Sequence, residues 1–108
     1  MKAYFYNKRV ERDFRKLPSD IRAHFSLTLQ LMEHHKTWNL GLPHVRHLAN
    51  TKLYEIRMSG KSGIARAIFV SFEESEIIVF NVFVKKSQKT PKKEIDLSIK
   101  RLKEYENG

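Results

Sequence analysis

At 108 residues the chain has room for one domain, and residues 1–108 read as a single unit. It has no cysteine, which excludes a disulfide framework and thiolate chemistry. No apolar run nears the roughly 20 residues of a membrane span. The formal charge of +9 makes a polyanion or an acidic protein the expected partner, against the plainer alternative of a solvated basic surface. Lys2, Lys8, Arg9 and Arg12 flank only a short apolar patch, Ala3 to Tyr6, so no secretory signal is expected and a cytoplasmic location is.

Met1 to Asn7 reads as a short strand, aromatic and partly alternating. Val10, Phe14 and Leu17 then fall at helical spacing, which predicts a helix over Val10 to Leu17 that Pro18 ends. Pro18, Ser19 and Asp20 open a second helix reaching about Lys36. Its stripe is Ile21, Phe25, Leu29 and Met32, widened by Leu27 and Leu31. His24, His34 and His35 do not share a ligating face, so no metal site is expected. Trp38 to Pro43 is a loop, broken by Gly41 and Pro43, and His44 to Leu48 is a short edge strand.

Leu53 to Met58 alternates Tyr54, Ile56 and Met58 against Leu53, Glu55 and Arg57. Ser59 to Gly63 is a hairpin loop with two glycines. Ile64 to Phe72 is the next strand. Ile77 to Val84 is apolar on both faces, as a central strand must be. Thr90 suits an N-cap and Pro91 a first helical position, so a last helix is expected there, with Ile95, Ser98, Ile99, Leu102 and Tyr105 as its stripe. The order β-α-α-β-β-β-α is α+β: an N-terminal strand and helix pair packed on an antiparallel meander, plus a C-terminal helix.

Two features point to chemistry. A loop of Gly60 to Gly63 pairs Ser59 with Ile64 and sets Arg57 opposite Arg66, a pairing of like charges that is unfavourable by itself. Either Glu55 or Glu76 neutralises one of them, or both guanidinium forks converge on a phosphate. Lys85, Lys86, Lys89, Lys92 and Lys93 follow directly on the central strand, and the meander brings Lys85 toward the Ile64–Arg66 end. Most aromatics sit in core-like patterns. Phe83, Tyr54 and Phe72 are the ones that could either pack or stack on a base.

Leu53–Arg57 (L-Y-E-I-R), the strand arginine Arg66, and Phe83–Pro91 (F-V-K-K-S-Q-K-T-P) followed by a helix resemble the HigB-like branch of the RelE/ParE toxin superfamily. The resemblance implies a RelE-like fold and the toxin of a type II toxin–antitoxin module. It implies an mRNA interferase that cleaves translated mRNA in the ribosome; no carboxylate cluster or His/Cys/Asp ligand set suggests a metal, and no cofactor is expected. A helix-turn-helix, HigA-like antitoxin is implied as partner, with operator DNA bound only through the complex. Carried onto this chain, Arg57, Arg66, Lys85 and Lys86 are catalytic positions; Phe83, Gln88, Lys89 and Thr90 bind RNA. Many relatives carry a histidine just before the motif phenylalanine, where this chain has Asn81 and Val82.

Guanidinium stays protonated, so Arg57 and Arg66 stabilise charge and cannot act as bases. A lysine crowded by cations can lose its proton near neutrality, which makes Lys85 or Lys86 the acid or base. Arg66→Ala and Lys85→Ala are expected to abolish activity with the fold intact. The competing functions are a ParE-like DNA gyrase poison that acts by binding and a non-catalytic basic nucleic-acid-binding module.

Overall fold

The computed structural model describes residues 1–34, 42–73, 75–84 and 89–108. His35 and the Trp38–Gly41 part of the expected loop therefore lie outside the described residues, as do Lys85, Lys86 and Gln88. The elements are β1 (Lys2–Phe5), α1 (Lys8–Arg15), α2 (Ser19–His34), β2 (Val45–His47), β3 (Tyr54–Gly60), β4 (Gly63–Glu73), β5 (Glu76–Val84) and α3 (Lys92–Asn107). The class is α+β: three helices and a five-stranded sheet among the described residues.

The sheet order is β1-β5-β4-β3-β2. β2 to β5 form the expected antiparallel meander. β1 joins it in parallel beside β5, pairing Tyr4 with Ile78. β5 is thus central and buried along most of its length, as its apolar run requires.

Alternation along the strands sends side chains to two different covers. Ile56, Met58, Ala65, Ala67, Phe69, Ile77, Val79 and Val82 meet Val10 of α1 and Ile21, Phe25, Leu29 and Met32 of α2. Leu53, Ile68, Ile78 and Phe80 meet Leu102 of α3 on the opposite face. Between Ile68 and Phe69 the register with β5 shifts by one residue, so Phe80 is extra. This bulge lets both Phe80 and Asn81 turn toward α3.

α1 starts earlier than its apolar spacing suggests. Asn7 is the cap, its side-chain oxygen accepting from the Val10 amide at 2.9 Å, and Leu17 is buried just beyond the helix end. On α2 the four-residue stripe is buried, but Leu27 and Leu31 are exposed. They sit on the flank that turns away from the sheet, where Thr28 rather than a leucine fills the inner position. The cap of α3 is Pro91, without a side-chain hydrogen bond, and not Thr90.

The β3–β4 hairpin has the expected register: Ser59 pairs with Ile64, Met58 with Ala65 and Arg57 with Arg66. Pairing continues to Gly60 and Gly63, which tightens the turn to two residues. Gly63 has φ of +133°, a backbone open to glycine. Gly60 is required for a different reason, because a Cβ there would run into the Asp20 side chain. Asp20 sits at the start of α2 and accepts from the Ser62 amide at 3.0 Å. One turn later, His24 Nδ1 accepts from the Ser59 amide at 2.7 Å. Two side chains of α2 thereby fix the hairpin that carries Arg57.

Candidate nucleic-acid interface

Glu55 and Arg57 occupy the sheet face that α3 covers only in part. Glu55 is fully buried and pairs in register with Arg46 on β2 and Ile68 on β4. The buried Arg66 guanidinium donates from Nη1 to Glu55 Oε1. Arg46 Nε lies 3.4 Å from the same oxygen. The Thr90 hydroxyl donates to Glu55 Oε2 and accepts from Arg46 Nη2 at 3.0 Å. The Thr90 hydroxyl therefore bridges Glu55 and Arg46, and the cap position of α3 falls to Pro91.

Of the two alternatives for the facing arginines, neutralisation by Glu55 holds for Arg66. Arg57 is exposed, and no carboxylate pairs with it among the described residues. Arg66 keeps one buried donor, Nε, without a hydrogen-bond partner among the described residues. The expectation that Arg66→Ala leaves the fold intact is corrected by this burial. Removing Arg66 takes from Glu55 its buried partner and leaves it the half-exposed Arg46 and the Thr90 hydroxyl, so a loss of stability is expected alongside any loss of activity.

Arg46 is the arginine that reading the sequence missed. A three-residue edge strand carries almost no periodic signal, and only its register shows that Arg46 faces Glu55. The signal that could have found it is the carboxylate: a Glu in a largely apolar strand needs cationic partners, although that alone does not choose among the chain's 21 lysines and arginines.

The other expected positions divide as follows. Phe83 is half-buried, pairs with Arg66 in register and packs against the α3-side core. Tyr54 packs among core residues beside Phe69, with ring centroids 5.8 Å apart. Phe72 is exposed beside Tyr4, toward the opposite end of β4 from Arg66. Lys89 is exposed and immediately precedes Thr90. Asn81, one of the two residues just before Phe83, is buried and donates to the backbone and side-chain oxygens of Glu94 at 3.2 Å each. It fastens the first turn of α3 and has no proton to transfer.

Near the hairpin, His24 and His44 meet edge to face with ring centroids 4.8 Å apart. Burial pushes the His24 pKa down, and His44 and Arg57 push the same way. The Ser62 amide holds Asp20 below the usual carboxylate range.

Fold and face together define a small basic α+β protein that presents guanidinium groups around one buried carboxylate, an arrangement suited to a phosphate. Residues 12–103 match the phage-derived, Gp49-like protein family (DUF891), and the chain belongs to that family. It is a family of RelE/HigB-type toxins of toxin–antitoxin systems, which implies an antitoxin partner. No curated protein matches the chain. Among the described residues, no helix is long and apolar enough to cross a membrane.

Proposed function

We propose that this chain is a HigB-like toxin with a RelE-like fold, and that it stops translation by cleaving ribosome-bound mRNA. The observation that carries the reading is the exposed Arg57 held across from the anchored Arg66 at the hairpin end of the sheet. β5 reaches that same end, where Val84 pairs with Ala65, and the lysine-rich segment begins at the next residue.

In the proposed reaction the ribose 2′-oxygen attacks the adjacent phosphorus. A P–O bond forms to the 2′-oxygen, the P–O5′ bond breaks, and a cyclic phosphate and a 5′-hydroxyl result. Arg57 stabilises the charge that builds on the phosphoryl oxygens, and Arg66 contributes its field from behind. The proton leaving the 2′-OH and the proton reaching O5′ pass through Lys85 or Lys86, whichever faces the phosphate. Neighbouring cations favour the neutral amine that this requires. Gln88, Lys89 and Phe83 bind the RNA on either side, while Thr90 holds the end of the segment by its bond to Glu55.

No metal enters this scheme. Much of the rate comes from the ribosome holding the 2′-oxygen in line, since positioning is worth several orders of magnitude. The antitoxin, a helix-turn-helix protein of the HigA type, would neutralise the cationic face with acidic or apolar segments and carry the complex to operator DNA. The test is to incubate purified protein, in chelator, with translating ribosomes and with the same mRNA alone. Preferential cleavage of ribosome-bound message supports the reading. Equal cutting of both sinks the ribosome dependence, and DNA breaks with intact message point to gyrase instead.

A further inference from the structure

We propose that Arg46 is a phosphate contact of this interface, positioned by Glu55, and that with Arg57 it grips neighbouring phosphates of a single-stranded RNA. This rests on the reading of the face as an RNA interface, and adds a residue and a strand to it.

Exposure decides which arginine can reach a ligand. The Arg46 side chain is 55% exposed and that of Arg66 10%. Arg66 is committed to Glu55 from within the sheet. Arg46 meets Glu55 and Thr90 through Nε and Nη2, while half of its side chain faces solvent. An arginine fastened along one edge gives up less rotamer freedom on binding than an unanchored one, so more of its interaction with a phosphate survives as affinity.

Charge points the same way. One carboxylate needs one guanidinium for neutrality, yet Glu55 holds two. The cluster keeps a net positive charge, and Arg57 adds to it. Register places Arg46 opposite Glu55, and Arg57 is two residues further along β3, on the same face. Diagonal neighbours of this kind have side chains roughly 7–8 Å apart, within reach of long arginines that contact one backbone. Because β2 is the edge strand, no strand among the described residues lies beyond Arg46, which leaves a path for the RNA. Thr90 ties this edge to the start of α3, so Arg46 and the end of the lysine-rich segment share one anchor.

The experiment measures binding of the full chain to a fluorescent, 2′-O-methylated single-stranded RNA, which cannot be cleaved, by anisotropy over a range of salt concentrations. Each phosphate contact contributes about 0.7 to the slope of log affinity against log salt for single strands. Arg46→Gln is expected to lower that slope by about 0.7 and to leave the melting temperature within a few degrees. Arg46→Lys is expected to restore the slope. Arg9→Gln removes the same charge from α1, away from this face, and is expected to change the slope little. An unchanged slope in Arg46→Gln overturns the proposal, as does an equal fall in Arg9→Gln. Wild-type protein that binds no RNA at any salt overturns the RNA interface itself, a failure distinct from that of Arg46 alone.

Discussion

Replacing Glu55 by alanine is expected to destabilise the protein more than any surface change. The Glu55 side chain is fully buried and that of Arg66 nearly so, at 0% and 10% exposure. Removing one partner of such a pair leaves an uncompensated buried charge, which costs about 3–5 kcal/mol. Arg46 can turn to water and soften the loss, so the lower half of that range is expected. Thr90, left without its acceptor, adds to the cost. For a domain of this size each kcal/mol moves the midpoint by roughly 4–8 °C, so thermal unfolding followed by circular dichroism is expected to fall by at least about 12 °C. Glu55→Gln keeps the volume and loses the charge, and falls between. The double change Glu55→Met with Arg66→Met is expected to recover much of the stability, because apolar side chains of similar volume often replace a buried pair without loss. A Glu55→Ala protein within about 1 kcal/mol of wild type refutes the reasoning, as does a double variant whose loss equals the sum of the single ones.

Arg57→Ala, at an exposed position, is expected to change stability by no more than about 0.5 kcal/mol and to abolish growth inhibition when expressed; full toxicity removes Arg57 from the site. Gly60→Ala is expected to lower stability by about 1–2 kcal/mol, because Asp20 must leave the Ser62 amide to admit a methyl group; the loss should shrink in an Asp20→Ala background, and an equal loss there points to another cause. His24 has its pKa lowered in the fold. The unfolded chain therefore binds more protons in the window just below the ordinary value of about 6.5. The stability from neutral His24 is complete above that value and is lost as pH falls through it toward the folded pKa. The midpoint advantage of wild type over His24→Gln should shrink between pH 7.5 and 5, and a constant difference contradicts the assignment.

The hairpin was legible because two signals agree on one register: glycines bracket its turn, and Tyr54, Ile56 and Met58 alternate with Glu55 and Arg57. The pairing of Arg57 with Arg66 followed from that register alone. Which of the two arginines Glu55 would take was not, since it depends on burial, and burial on where α3 lies. Thr90 illustrates the same limit. Its local context favours a helix cap, but its hydroxyl instead bridges Arg46 and a buried carboxylate 35 residues away in sequence. The parallel docking of β1 on β5 is a long-range crossover with no local signature. Leu27 and Leu31 have the spacing of a helix stripe, and only the direction of packing shows that they belong to the outer flank.

The central claim, that guanidinium groups at the hairpin end of the sheet act on RNA, is tested most directly by mapping the 5′ ends of cellular transcripts by primer extension after brief expression of the protein, with the Arg57→Ala variant alongside. Discrete new ends inside translated frames, present with wild type and absent with Arg57→Ala, are the predicted result. Arrested growth with intact transcripts, or the same new ends from both proteins, would contradict it.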